Sequence, residues 1–553
     1  MKKNNESNVY ITLLGGLDEV GKNMTVIEWD GNAVLIDAGF KFPDAELPGI
    51  DKVIPDLSYI DKIKGKIKAI LLTHGHADHI GALKYVLEKV KVPIYGTKLT
   101  LGLANDVLPG YLRPLETRQV EAGKDYRIAG VKTEFIRVTH SIPEGVAIAL
   151  YLKPGIVLHT GDFKIDLRPI DGHPIDLPRF GELGSKGVLC MLSDSTNADE
   201  PGYTGSESQV GKTLDRIFRA APARIIVATF STNIHRLQQV VDTTHRMGRK
   251  LLVDGRGINE TIKVATRLGY FTMPSGLTIK HDQLNKYKPE EIAIMTTGTQ
   301  GEPMSGLSKI ANSVHRNIDV RKDDSILVSA DPIPGNETVV SKTVSSLIKL
   351  GATVYYRRVD GVHVSGHASQ EELRVMLALV KPKYFIPVHG EYKQMWFHGK
   401  IAQEVGVDEK NIFLCENGDQ VLINKRQGKI HKKVPASSVY IDGKSVGDIG
   451  TSVLKERSSL SRDGFLAVSV VISNLSKELL SEPEINSLGF IYMKNSTETF
   501  EATKKVTKEI VGRWKQNKQP VSKLKSMIRT SVKDVLYKQT RRIPVILPVV
   551  IMV

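Results

Sequence analysis

Behind the apolar stretch AILL the chain reads Thr73-His74-Gly75-His76-Ala77-Asp78-His79. Three imidazoles and a carboxylate within six residues are the nitrogen and oxygen donors that zinc or manganese accepts, and a turn leaving a strand can present them to one side. Two cations need more donors than one local run supplies. Candidates at other strand ends are His140 in IRVTHSIPEG, Asp162 in LHTGDFK and His389 in FIPVHGEY. Each follows an apolar run and sits beside glycine, serine or proline, where functional loops concentrate. Any one of them alone is an ordinary loop residue, so the weight lies in the set.

A second cluster has phosphate chemistry. His363-Val364-Ser365-Gly366-His367-Ala368-Ser369 combines hydroxyls, imidazoles and a glycine that admits close backbone approach, ahead of the helical pattern QEELRVMLAL. Ser369 with Glu372 three residues on also spells a capping box, a local role compatible with the first. Gly16 to Asn23 nearly spells a phosphate-binding P-loop, but Asn23 stands where serine or threonine is required and MTVIEW reads as strand. The histidines at 159, 173, 235, 245, 281, 315, 398 and 431 lack such context and read as structural or surface residues.

The elements that must position these groups fall into three textures. From Val9 to about Val188, β-branched runs such as YITLLGG, AVLIDAG and GIVLHTGD alternate with glycine turns, which predicts a two-layer sheet core flanked by helices. From Glu207 to about residue 365, strands and helices alternate regularly (RIIVATF, HRLQQVVDTTHRMG, KLLVDG), the pattern of a doubly wound parallel sheet. EELRVMLALVKPKYFIPVHG then resembles the first texture, so the first domain resumes after an insertion. The expected boundaries are 1–206 and 367–447 for the interrupted domain, 207–366 for the insertion, 448–465 for a linker, and 466–553 for a small C-terminal α/β domain.

At 553 residues the chain is long enough for three to four domains. Its 41% hydrophobic and 25% charged residues exclude collagenous, coiled-coil and wholly disordered classes. A formal charge of +15 favours an anionic partner such as nucleic acid. Residues 501–553 hold 13 basic and 3 acidic side chains, so most of that excess is C-terminal. Only Cys190 and Cys415 are present, which leaves neither a disulfide framework nor a cysteine zinc site and suits a reducing, cytoplasmic setting. The N-terminal residues carry no apolar signal segment, and no run is long enough to span a membrane.

The HxHxDH run with later His, Asp and His resembles the metallo-β-lactamase superfamily, whose fold is an αββα sandwich. The insertion, HVSGHASQEE and PVHGEY resemble its β-CASP nucleases. GGLDEVGKN, LIDAGFKFPD, TGDFK, SDSTN, TQGEPMSGL, PIPGNE and RRIPVILPVV extend the likeness to the ribonuclease J family over essentially the whole chain. That resemblance implies two zinc ions, with manganese or magnesium as alternatives in activity. It assigns His74, His76 and His140 to one metal and Asp78, His79 and His389 to the other, with Asp162 bridging. Asp194 and His367 are implied as an acid/base pair, His367 either orienting the scissile phosphate or protonating the leaving oxygen. Residues 363–369 and Ser231, Thr232 and Asn233 are implied as nucleotide contacts, although the latter three read equally as a helix cap. A calcium ion near Gly49, Asp51 and Asp442 is also implied.

The expected activity is 5′-to-3′ exonucleolytic and endonucleolytic hydrolysis of RNA, with Asp78 among the catalytic residues and 5′-phosphate products, serving messenger RNA decay and ribosomal RNA maturation. The expected partner is single-stranded RNA, preferably 5′-monophosphorylated. Assembly as a homodimer, homotetramer or mixed complex with a paralogue is expected through the C-terminal domain. The alternative is a weakly active or non-catalytic RNA-binding partner subunit. A lactamase or thioesterase would lack the insertion, and a DNA-directed β-CASP nuclease is the remaining rival.

Overall fold

The structure, a computed structural model, describes residues 7–44, 47–113, 116–298, 305–330, 332, 336–356, 358–443, 445–490, 497–517 and 519–553. Parts of two motifs noted above, residues 299–304 of TQGEPMSGL and 333–335 of PIPGNE, lie outside the described residues. Two compact units emerge: Met1–Phe42 with Lys52–Val439, and Pro43–Asp51 with Tyr440–Val553.

The first unit holds two sheets stacked face to face. One has eight strands in the order Gly428–Lys433, Asp419–Ile423, Val9–Gly15, Met24–Trp29, Asn32–Ile36, Ile67–Leu71, Ile94–Gly96 and Thr117–Gln119. The other runs Tyr384–Val388, Val188–Asp194, Gly155–His159, Val146–Leu152, Val131–Arg137 and Asp125–Ile128. Strand alternation divides the side chains. Ile27, Val34, Ile36 and Leu71 of the first sheet meet Phe135, Ile148, Val157 and Leu192 of the second. Their neighbours Val26, Leu35 and Ile70 point outward into a core shared with the helices Leu83–Lys89 and Lys98–Val107. On the far side Ala147, Leu158, Met191 and Phe385 pack with the helices Leu177–Lys186 and Gln370–Val380. Helix, sheet, sheet, helix is the expected sandwich, and segments 419–433 and 384–388 return to it after the insertion.

The insertion is a parallel six-stranded sheet ordered Thr278–Ile279, Lys250–Val253, Ile292–Thr296, Ile225–Ala228, Ser325–Val328 and Thr353–Tyr355. Two buried ion pairs tie it together. Arg224 grips Asp324 with Nε and Nη2 at 3.0 and 2.6 Å. Arg236 grips Glu207 and donates to the carbonyl oxygen of Val362 at 2.8 Å.

In the second unit the strand Phe465–Ile472 lies between Glu484–Leu488 and Val545–Met552, the last in parallel register, beside the helices Thr497–Gln516 and Val521–Thr540. The stretch expected as a linker, 448–465, is largely the helix Thr451–Asp463. Its polar side chains face water while Leu454 is buried, so its composition resembles that of a linker although its backbone is helical. Among the described residues no helix is long and apolar enough to cross a membrane.

Candidate functional site

Topology gathers the chemistry at one sheet edge. Gly155–His159, Val188–Asp194 and Tyr384–Val388 are adjacent parallel strands, so Asp162, Asp194 and His389 emerge from the same end. Val131–Arg137 runs the same way through two antiparallel steps and delivers His140 there. The facing sheet contributes His74 to His79 after Ile67–Leu71, with Asp78 and His79 on the short helix Ala77–Ile80.

His74, His76 and His140 form one donor group, and Asp78, His79, Asp162 and His389 form a second. Asp162 stands between them. Its Oδ2 is 3.7 Å from His74 Nε2, 3.8 Å from His140 Nε2 and 3.2 Å from His79 Nε2, and its Oδ1 is 3.0 Å from His389 Nδ1. His389 Nε2 lies 3.3 Å from Asp78 Oδ2, and His140 Nε2 3.1 Å from His76 Nδ1. Tetrahedral ligands about 2.1 Å from a zinc ion stand about 3.4 Å apart, so these spacings fit divalent cations. Among the described residues, two buried nitrogens, His74 Nε2 and His389 Nε2, make no well-directed hydrogen bond, a costly state that a cation relieves.

The electrostatics agree. Burial keeps the first group neutral, the form that binds metal: it lowers His74 and His140 well below the usual imidazole value, with neighbouring imidazoles adding to the effect, and His76 to about 4. In the second group burial is outweighed. Asp162, Asp78 and Asp37 hold His79 well above its ordinary value, and Asp162 does the same for His389. Asp78 is correspondingly held well below the carboxylate range by His79 and His389 against the effect of burial, and Asp162 by His389 and His79. Carboxylates that draw positive charge onto their own histidines are suited to share an ion.

Several positioning residues were not singled out from sequence. Asp37 follows the strand Asn32–Ile36 and accepts from His79 Nδ1 at 2.7 Å, while Thr73 donates to it from backbone N and Oγ1, both at 2.8 Å. That carboxylate fixes the ring so that Nε2 faces the donor group. Asp37 and His389 both take left-handed backbone conformations, φ 60° and 55°, a strain typical of functional sites. Gly39 lets the chain pass Asp78, since a Cβ there would come within 1.5 Å of the Asp78 carbonyl oxygen. Asn23 Nδ2 lies 3.1 Å from His79 Nε2, and Lys22 pairs with Glu19 at 3.0 Å, so this glycine-rich turn serves the metal cluster. The LIDAG run carried the signal for Asp37, but only the fold brings it to His79.

Asp194 and His367 meet at 2.7 Å through Oδ2 and Nδ1. Burial opposes a charged imidazole, yet Asp194 raises His367 above its ordinary value. The loop 363–369 closes over His140, which lies 2.7 Å from the Gly366 carbonyl oxygen through Nδ1. A Cβ at Gly366 would lie 2.6 Å from that ring, so only glycine fits. Ser369 caps the helix Gln370–Val380 with Glu372 completing the expected box. Asn233 caps Ile234–Arg246 through Oδ1, and its buried Nδ2 has no hydrogen-bond partner among the described residues; Ser231 and Thr232 precede it on the same loop.

Of the other histidines, His398 is buried 3.0 Å from Ser195 Oγ, and His281 and His315 flank Asp254 at 3.0 and 3.3 Å. Gly49, Asp51 and Asp442, the residues implied for calcium, all belong to the second unit. Arg457 Nη2 donates to Asp442 at 2.6 Å and Nη1 lies 3.3 Å from the carbonyl oxygens of Pro48 and Gly49, while Asp51 accepts from the Gly443 backbone at 2.7 Å. Here these oxygens bond to a guanidinium and to a turn.

Comparison with known proteins follows the same division. Residues 17–228 match the metallo-beta-lactamase superfamily and 222–347 the ribonuclease J beta-CASP domain. Residues 351–414 match the Zn-dependent metallo-hydrolase RNA specificity domain and 452–553 the ribonuclease J C-terminal domain. Ribonuclease J2 of Bacillus subtilis (strain 168) is 41% identical, with both chains covered in full. Ribonuclease J 1 of Streptococcus pyogenes serotype M3 is 39% identical over 99% of this chain and 98% of its own. Ribonuclease J of Helicobacter pylori (strain J99) is 39% identical over 99% of this chain and 80% of its own. A solved structure of a protein of unknown function from Enterococcus faecalis V583 shares the fold at a TM-score of 0.53, with 16% identity over 75% of this chain and all of that one. The chain belongs to the ribonuclease J family of metal-dependent nucleases.

Proposed function

We propose that the chain hydrolyses single-stranded RNA from a 5′-monophosphorylated end and also cuts internally, leaving 5′-phosphate and 3′-hydroxyl ends, in messenger RNA decay and ribosomal RNA maturation. The observation that carries the reading is the convergence of both donor groups on Asp162. His74, His76 and His140 would hold one zinc ion, and Asp78, His79 and His389 the other, with Asp162 shared; manganese or magnesium are the alternatives. Such ions supply Lewis acidity at phosphorus and an activated water.

The protein's own groups do the remainder. Asp194 accepts from His367 Nδ1 and keeps the ring protonated to higher pH, so Nε2–H can donate to the leaving 3′ oxygen. The loop 363–369 and Ser231 to Asn233 orient the phosphates. Half-exposed Leu547 and Ile551 on the last strand support self-assembly through the C-terminal unit. Buried free Cys190 and Cys415 suit a reducing cytoplasm.

The test uses end-labelled RNA with a 5′-monophosphate. Wild type with zinc or manganese should release mononucleotides, and His76→Ala should lower turnover by at least about a thousandfold. No release by metal-loaded wild type would favour the partner-subunit reading.

A further inference from the structure

The loop that closes over the metal cluster is tethered one carbonyl at a time. The Gly366 oxygen faces His140 Nδ1 at 2.7 Å, and the His367 oxygen accepts from Thr204 Oγ1 at 2.7 Å and Asn197 Nδ2 at 3.1 Å. The preceding oxygen, that of Ser365, accepts from Lys164 Nζ at 3.0 Å. Lys164 is 1% exposed, and its ammonium also donates to the Gly205 carbonyl at 3.1 Å. Its backbone is clamped to the strand end bearing His140: Lys164 N donates to the Thr139 oxygen at 2.8 Å, and Thr139 Oγ1 donates back to the Lys164 oxygen at 2.6 Å. One residue thus joins the Asp162 turn, the His140 turn and the 363–369 loop, the last through its side chain.

Burying an ammonium is costly even with the carboxylates of Glu207, Asp166 and Glu372 nearby, and among the described residues its hydrogen bonds go to the Gly205 and Ser365 carbonyls. In a trans peptide the C=O and the next N–H point in opposite directions. Drawing the oxygens of residues 365 and 367 towards protein donors therefore turns the N–H groups of Gly366 and Ala368 away from those donors, just ahead of the helix Gln370–Val380. This arrangement accepts an anion, whereas a free Ser365 carbonyl could rotate and present negative charge to it.

We propose that Lys164 is a positioning residue for substrate phosphate: by holding the Ser365 carbonyl it keeps the 365–367 peptides in the anion-accepting orientation. The inference rests on the RNA-cleaving reading above and deepens it.

The test compares full-length, metal-loaded wild type with Lys164→Met, which removes every donor, and Lys164→Gln, which keeps an amide donor. RNA of one sequence is supplied with a 5′-monophosphate or a 5′-hydroxyl, and bound metal and melting temperature are measured in parallel. Lys164→Met should raise KM about tenfold, with kcat within about threefold and metal content unchanged, and Lys164→Gln should recover part of the loss. A KM effect confined to the 5′-monophosphate substrate places the terminal phosphate in the loop, and an equal effect on both places an internal phosphate there. A wild-type KM, or a loss that follows metal content equally in both variants, would overturn the proposal. If Lys164→Met fails to fold, Thr204→Val loosens the neighbouring carbonyl and must show the same KM signature. If wild type does not turn over, the catalytic reading fails on its own, and the dissociation constant of a 5′-monophosphorylated 2′-O-methyl RNA still tests Lys164.

Discussion

At the scale of single residues, the metal cluster depends on groups that touch no metal. Asp37 is buried, accepts three hydrogen bonds and sets the ring of His79. Asp37→Asn keeps the shape but replaces an acceptor oxygen with a donor, and zinc affinity, read by competition with a chromogenic chelator, is expected to fall about 10- to 100-fold. His398 sits behind the cluster and responds to pH instead. Burial lowers it to about 3, against an unfolded value of about 6.5. Below the unfolded value the denatured chain binds a proton that the native state refuses, so stability present near neutrality is lost as pH falls. Between pH 6.5 and 5 this one residue should remove about 2 kcal/mol. Urea unfolding at the two pH values, compared with His398→Gln, isolates it, because the variant lacks that part of the loss.

At the scale of elements, the insertion is fastened through side chains as well as backbone. Arg236, on the helix Ile234–Arg246, pairs with Glu207 at the start of Glu207–Ala220 and reaches the Val362 carbonyl just before the loop 363–369. Arg236→Met leaves Glu207 buried without its partner and should destabilise the first unit by about 3–5 kcal/mol, measured by denaturant titration.

The elements also show what could be read without coordinates. HGHADH, TGDFK and PVHGEY lie where apolar strands stop, and parallel strands with a common end turn such positions into one site. Residues whose role is to hold another residue were not legible in this way. Asp37 and Lys164 lie within conspicuous runs, LIDAG and TGDFK, but their partners His79 and Ser365 are distant in sequence and only the fold supplies them. The helix Thr451–Asp463 was missed because a helix burying one leucine leaves almost no periodic signal.

At the scale of the molecule, all seven candidate metal ligands lie in the unit comprising Met1–Phe42 and Lys52–Val439. Stripping bound cations should therefore act on that unit. Ions present at about 100 times their dissociation constant stabilise the state that binds them by about 2.7 kcal/mol. Calorimetry with and without EDTA should show the transition of this unit moving down by several degrees, with that of the C-terminal unit unmoved. A shift of both transitions would mean that a cation also stabilises the second unit.

Arg457 places a fixed positive charge in the second unit, against Asp442 and the Pro48 and Gly49 carbonyls. A diffusible ion occupies an oxygen site only as far as its concentration allows, and can be taken away by any stronger ligand. A guanidinium carried on the same chain cannot be dialysed, exchanged or sequestered, although salt screens its partly exposed bond to Asp442. The two kinds of positive charge thus differ in origin: one must be supplied from outside and can be withdrawn, whereas the other is written into the sequence.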